Sequence, residues 1–191
     1  MSTPQNSLPD LQFNIVGLLK GQVGSTRSYE FYVPVSELDQ LDEDFDATGP
    51  LTGAVRFFKT ADTILARCHG EALVRLECSR CLEPFDLPVA FSFEEEYHPT
   101  IDITTGRKLP LTIDDAALLI DEHHILDLSE VIRQEILLAL PITPICREDC
   151  AGLCPICGAN RNLETCHCQD TASDPRWAAL SALLDRQSDA S

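Results

Sequence analysis

The clearest pattern in the chain runs from Ile64 to Cys78. Ile64, Ala66, Cys68, Gly70, Ala72, Val74, Leu76 and Cys78 are small or apolar, and the positions between them include Arg67, His69, Glu71, Arg75 and Glu77. A period of two predicts a long strand with one buried face, with Gly70 as a site for a bulge or bend. Val89, Phe91 and Phe93 carry the same alternation toward Tyr97. They predict an antiparallel partner strand, joined to the first by a sharp turn at Cys78-Ser-Arg-Cys81. The acidic run Glu94-Glu95-Glu96 fits a solvated strand end. Upstream, Leu11–Lys20, Tyr29–Val35 and Leu51–Lys59 read as three further strands. Pro34 ends the second of these, and Thr60–Thr63 forms the turn after the third. Gly21–Ser28 is a polar turn, and the acidic stretch Ser36–Thr48 holds at most a short helix.

The period changes later in the chain. Asp127–Leu140 predicts a helix with a start like a capping box at Asp127 and Glu130. Its apolar face is formed by Leu128, Val131 and Ile132 with Leu138 or Ala139, and its stop by Pro141 and Pro144. His98–Asp115 reads as a surface excursion. Asp174-Pro175 predicts the start of a short amphipathic helix through Trp177, Leu180 and Leu184. The expected fold is α+β: an antiparallel β-meander or partly closed barrel, a long helix, and a small C-terminal cysteine-rich zinc-binding module. The expected boundaries are a disordered tail at 1–10, a core domain at 11–145, the cysteine module with its helix at 146–185, and a frayed tail at 186–191.

Composition narrows the function classes. The 191 residues are 44% hydrophobic, enough for a core, and carry a formal net charge of −17. An acidic surface does not attract nucleic acid by bulk electrostatics, so DNA is not an expected partner. RNA would need a local basic patch or a protein intermediary. Basic ribosomal proteins suit an acidic surface, and so does acidity for solubility alone. No apolar run is long enough to span a bilayer, and the start MSTPQNSLPD resembles neither a secretory signal nor a transit peptide. A cytoplasmic location follows as the expectation. The nine cysteines then read as reduced thiols that bind metal.

Six of those cysteines lie in 146–168, CREDCAGLCPICGANRNLETCHC, a segment too poor in large apolar side chains to fold by burial. Close-spaced thiolates around Zn²⁺ would hold it. Cys154 and Cys157 with Cys166 and Cys168 make one self-contained set, and Gly158 is suited to the positive φ of its turn. Cys78 and Cys81 with Cys146 and Cys150 could make a second set, clamping the meander to the module. Alternatively, one ion binds and the remaining thiols are free. One or two structural zinc ions are therefore expected. The Cys78–Cys81 spacing also suits a redox motif, but its place between antiparallel strands does not. Cys68 reads as a core residue, and His69, His98, His123 and His124 form no site. His167, between Cys166 and Cys168, could replace one of them as a ligand, but its side chain should point away if both thiolates bind. No catalytic set of side chains is evident, and four thiolates leave zinc no open position. The chain is expected not to be an enzyme.

The blocks Leu-Glu-Cys-Ser-Arg-Cys-Leu-Glu-Pro-Phe (76–85), Asp-Leu-Ser-Glu-Val-Ile-Arg-Gln-Glu-Ile-Leu-Leu-Ala-Leu-Pro (127–141) and Cys-Arg-Glu-Asp-Cys-Ala-Gly-Leu-Cys-Pro-Ile-Cys-Gly-Ala-Asn (146–160), followed by Cys-His-Cys and Asp-Pro-Arg, resemble the YceD-like bacterial proteins. The resemblance covers most of the chain after Leu51. It implies a cytoplasmic, non-enzymatic factor in large-subunit biogenesis that supports accumulation or processing of large-subunit ribosomal RNA. Its partners would be that RNA or ribosomal proteins. In many bacteria the gene lies beside that of a small large-subunit ribosomal protein. Arg161 stands where the family usually has leucine. Arg80, Arg147 and Arg161, all beside cysteine motifs, are candidate partner contacts, or they offset thiolate charge. The rival expectation is a zinc- or redox-responsive thiol protein of the cytosol.

Overall fold

The computed structural model describes residues 9–38, 46–110 and 113–168. The predicted helix after Asp174, the tail at 186–191 and most of the N-terminal tail lie outside the described residues, as does part of the acidic stretch before Thr48. The chain divides into two compact units. One takes in the chain up to Ser79 and Glu83–Cys146, and the other takes in Arg80–Leu82 and the chain from Arg147 onward.

After a 3₁₀ turn at Pro9–Leu11, the first unit contains β1 (Gln12–Asn14), α1 (Val16–Leu19), β2 (Thr26–Val33) and α2 (Val35–Leu38). It continues with β3 (Asp46–Ala47), β4 (Leu51–Lys59), β5 (Ile64–Glu77) and β6 (Pro84–Pro99). A short excursion leads to β7 (Leu119–Ile120), β8 (Ile125–Asp127) and α3 (Ser129–Ala139). The main sheet has the order β2-β4-β5-β6-β7, with β3 also paired to β5, while β1 and β8 form a separate two-stranded sheet. The pairings are antiparallel except β6 with β7. The meander expected from alternation is present. Its ends, β2 and β7, are not paired among the described residues, so the sheet does not close into a barrel.

The scaffold is the β5–β6 hairpin, 14 and 16 residues long and in continuous register from Ile64↔Tyr97 to Glu77↔Pro84. Its inward residues Ile64, Ala66, Cys68, Ala72, Val74, Val89, Phe91, Phe93 and Tyr97 are buried. Its outward face carries Arg67 opposite Glu94 and Arg75 opposite Asp86, each an ion pair in register. Exposed pairs of this kind are screened by solvent and contribute little to stability. Phe13, Tyr29 and Phe57 pack as a tilted and edge-on trio, with centroids 5.1 to 5.9 Å apart. No helix among the described residues is long and apolar enough to cross a membrane.

Four expectations change. Gly70 is not a bulge: it pairs in register with Gly53 on one side and Phe91 on the other. A Cβ there would stand 2.6 Å from the Phe91 ring and 2.7 Å from the Thr52 carbonyl oxygen, so glycine serves close approach. Leu11–Lys20 is not one strand. The Asn14 side chain accepts from Val16 N–H at 3.1 Å, and the chain turns into α1. Leu18 and Leu19 are consecutive and both buried, which period two does not allow.

The helix α3 is 11 residues long, three turns rather than a long helix, and starts at Ser129. Asp127 ends β8, and its carboxylate accepts from Ser129 N–H at 2.8 Å. Glu130 bonds Arg133 and Gln134 instead of reaching back as a capping box would. Finally, the buried face of α3 is Val131, Ile132 and Ile136, following buried Leu128, while Leu138 is 78% exposed. Spacing by four from Leu128 selects Ile136. Leu140 ends the helix in extended conformation, as the residue before proline must.

Gly70→Ala tests the close approach. Alanine in place of a strand glycine ordinarily gains about 0.5–1 kcal/mol. Here overpacking against a ring and a carbonyl should reverse the sign and destabilise by about 1–3 kcal/mol. A urea melt that shows stabilisation would contradict the packing described.

Candidate metal centres

The second unit is built by turns. Leu153 bridges to Asn160, Cys154 N–H donates to the Ala159 carbonyl at 2.8 Å, and Gly158 N–H donates to the Cys154 carbonyl at 2.9 Å. This tight loop needs a residue in the left-handed region, and Gly158 supplies it with φ +76°. The loop turns the backbone N–H groups of Cys157 and Ile156 onto the Cys154 sulfur. Cys157 Sγ lies 3.5 Å and Cys154 Sγ 3.3 Å from Cys166 Sγ. Cys168 N–H donates to Cys166 Sγ at 3.4 Å. All four thiols, Cys154, Cys157, Cys166 and Cys168, lie within 4.8 Å of one another.

Cys78, Cys81, Cys146 and Cys150 form a second quartet by the same measure. Cys146 N–H donates to Cys78 Sγ at 3.4 Å. Leu82 takes φ +60° in the turn that carries Cys81. None of the nine cysteines is in a disulfide. The remaining one, Cys68, is buried in the core, and desolvation pushes its thiol up to about 12. It stays a neutral apolar residue at physiological pH, as its strand position predicts.

Electrostatics within the Cys154 quartet is uneven. The N–H groups of Cys157 and Ile156 hold the Cys154 thiol down to about 6. The neighbouring Cys166 and Cys157 thiols push Cys168 up to about 12. Sulfurs this close oppose one another's ionisation, and a divalent cation at their centre reverses that opposition. Each quartet offers the four-thiolate donor set of a closed structural zinc site, and its sulfurs already accept N–H donors. The two quartets can therefore hold metal ions, and such sites have no position left for substrate.

The three arginines are exposed at their ends but engaged. Arg80 donates through Nη1 to the carbonyls of Glu148 and Cys150, both at 3.2 Å, and its own carbonyl accepts from Leu153 N–H at 2.9 Å. Arg147 donates to Asn162 Oδ1 at 2.7 Å and lies 3.3 Å from Asp149. Arg161 donates through Nη2 to Cys154 Sγ at 3.8 Å. Two residues with site roles were not anticipated. Asn162 donates to Cys150 Sγ at 3.4 Å, and Gly152, at φ +68°, brings the chain so near Arg80 that a Cβ would meet its carbonyl oxygen at 2.9 Å. The only signal for either in the sequence was a polar or glycine residue set among ligands. The histidines bring no further metal group together among the described residues.

The profile of the family described as "Large ribosomal RNA subunit accumulation protein YceD" matches residues 66–184, which include both quartets. The chain belongs to the YceD family. Among curated members and relatives, an uncharacterized protein of Mycobacterium tuberculosis is 37% identical over 116 residues, which is 59% of this chain and 52% of that protein. An uncharacterized protein of Mycobacterium leprae is 32% identical over 135 residues, 71% of this chain and 59% of that one. The Arabidopsis thaliana protein named "Large ribosomal RNA subunit accumulation protein YCED homolog 1, chloroplastic" is 36% identical over 104 residues, 54% of this chain and 32% of the homolog. The chain thus spans about half the length of the first curated YceD relatives it matches. No solved structure matches it.

If metal holds the turns of the second unit, Cys154→Ser should lower the zinc content measured by elemental analysis. It should also expose the chain after Cys146 to limited proteolysis, because metal binding and folding are linked in small thiolate sites. Unchanged protease resistance would exclude a structural role for that site.

Proposed function

We propose that this chain is a non-enzymatic factor that supports accumulation of large-subunit ribosomal RNA, with structural zinc at both cysteine quartets. The observation that carries the reading is the YceD family match, which spans the quartets and is described by that role. The printed name of the Arabidopsis relative agrees with it. Closed four-thiolate sites supply rigidity rather than catalysis, so the working part would be the surface that they hold in shape.

The partner chemistry follows from charge. With a net −17, the chain would meet the ribosomal precursor through a basic ribosomal protein more readily than through the phosphate backbone. Arg80, Arg147 and Arg161 brace the cysteine-bearing chain internally, which favours an architectural role for them over RNA contact. A cytoplasmic site of action is part of the proposal.

Cells lacking the chain should contain less mature large-subunit RNA relative to small-subunit RNA, or more of its precursor, on a quantitative blot. Unaltered levels of both would remove the proposal. Affinity capture with and without RNase then separates a ribosomal-protein partner, which survives RNase, from a direct RNA contact, which does not. The rival reading, a thiol sensor, requires that mild peroxide release zinc and oxidise the exposed Cys157. Retention of all zinc under that treatment excludes the sensor.

A further inference from the structure

The turn at Asn160–Asn162 touches a sulfur of each quartet. Asn162 Nδ2 donates to Cys150 Sγ at 3.4 Å and to Asn160 Oδ1 at 2.9 Å. Its Oδ1 accepts from Arg147 Nη2 at 2.7 Å and from Ala151 N–H at 2.9 Å. Both donors and both lone pairs of the carboxamide are therefore used, and the orientation of the amide is set by two obligate donors on its oxygen. The next residue back, Arg161, reaches the other quartet at Cys154 Sγ. Its backbone N–H also donates to the Gly152 carbonyl at 2.9 Å.

The chain between the two ligands is equally constrained. Cys150 and Cys154 are separated by Ala151, Gly152 and Leu153. Ala151 is tied to Asn162, Gly152 to Arg161, and Leu153 to the Arg80 carbonyl. A displacement of Cys150 Sγ by loss of its ion would tilt the Asn162 carboxamide. That movement is transmitted through the Asn160–Asn162 turn and through 151–153 to Cys154. Gly152 in that segment also sits against the Arg80 backbone.

We propose that the Asn160–Asn162 turn, with Asn162 as its positioning residue, couples the two cysteine quartets so that they fill and empty together. This rests on the reading of both quartets as metal sites. Outer hydrogen bonds to ligands commonly account for about 10–100-fold in metal affinity, and here one turn supplies them to both ions.

The test is native mass spectrometry of the full-length zinc-loaded chain during titration with EDTA. Equal, independent sites would give a single-ion form of about half the protein at the midpoint. Coupling of about tenfold or more, within the usual range for linked sites, holds that form to about a quarter or less. Asn162→Asp keeps the acceptors for Arg147 and Ala151 but turns an oxygen toward Cys150 Sγ. It should raise the single-ion fraction and speed zinc release by about tenfold. A single-ion form that reaches half in the parent chain, or an Asn162→Asp profile identical to it, overturns the coupling and leaves the metal reading intact. A chain that binds no zinc at all overturns both. Because the parent titration is decisive alone, a variant that does not fold would not rescue the proposal.

Discussion

Four sulfurs within 4.8 Å of one another are a condition that a polypeptide cannot meet for nothing. Each thiolate raises the cost of ionising the next, as the neighbours Cys166 and Cys157 do to Cys168, whereas backbone N–H groups hold the Cys154 thiol down. The second unit answers with N–H donors aimed at sulfur, from the backbone at Cys154 and Cys166 and from Asn162 and Arg161 side chains. A divalent cation bound at the centre of the sulfurs would offset the remaining repulsion. Among the described residues of this unit only cysteines are buried apolar side chains, so that part depends on the balance at sulfur more than on apolar burial.

The first unit rests on a different physics. Its long hairpin buries one face, and glycine is used where aromatic rings and strand backbones crowd each other, at Gly53 and Gly70. The outward face is crossed by ion pairs in register, which contribute little stability. The turn of that hairpin is also where Cys78 and Cys81 stand, so the scaffold delivers two ligands as a by-product of its own connectivity.

Both arrangements engage basic side chains in an otherwise acidic chain. Arginines that sit beside cysteines satisfy carbonyls and sulfurs of their own unit. Across the full sequence acidic side chains outnumber basic ones, 31 to 14, for a formal net charge of −17.

Strands and the grouping of the cysteines were legible before the fold because both rest largely on local spacing. The sequence reading marks β4 and β5 within a residue of their ends, and alternation finds β6 from Val89 although the strand begins at Pro84, since burying one face of a strand requires period two. Close cysteine spacing pairs the ligands, since a single turn spans neighbouring vertices of a tetrahedron. The sequence alone also shows that no apolar run is long enough for a helical span. It does not determine that Leu11–Lys20 breaks at Asn14, that Ile136 rather than Leu138 is buried, or that β7 and β8 exist, because each depends on partners far along the chain or on strands too short to carry a period. Nor does it reveal that one asparagine side chain addresses Cys150 while its neighbour addresses Cys154. That arrangement arises only when the 160–162 turn folds back on the segment holding both ligands, and hydrogen-bond geometry of that kind is a property of tertiary structure.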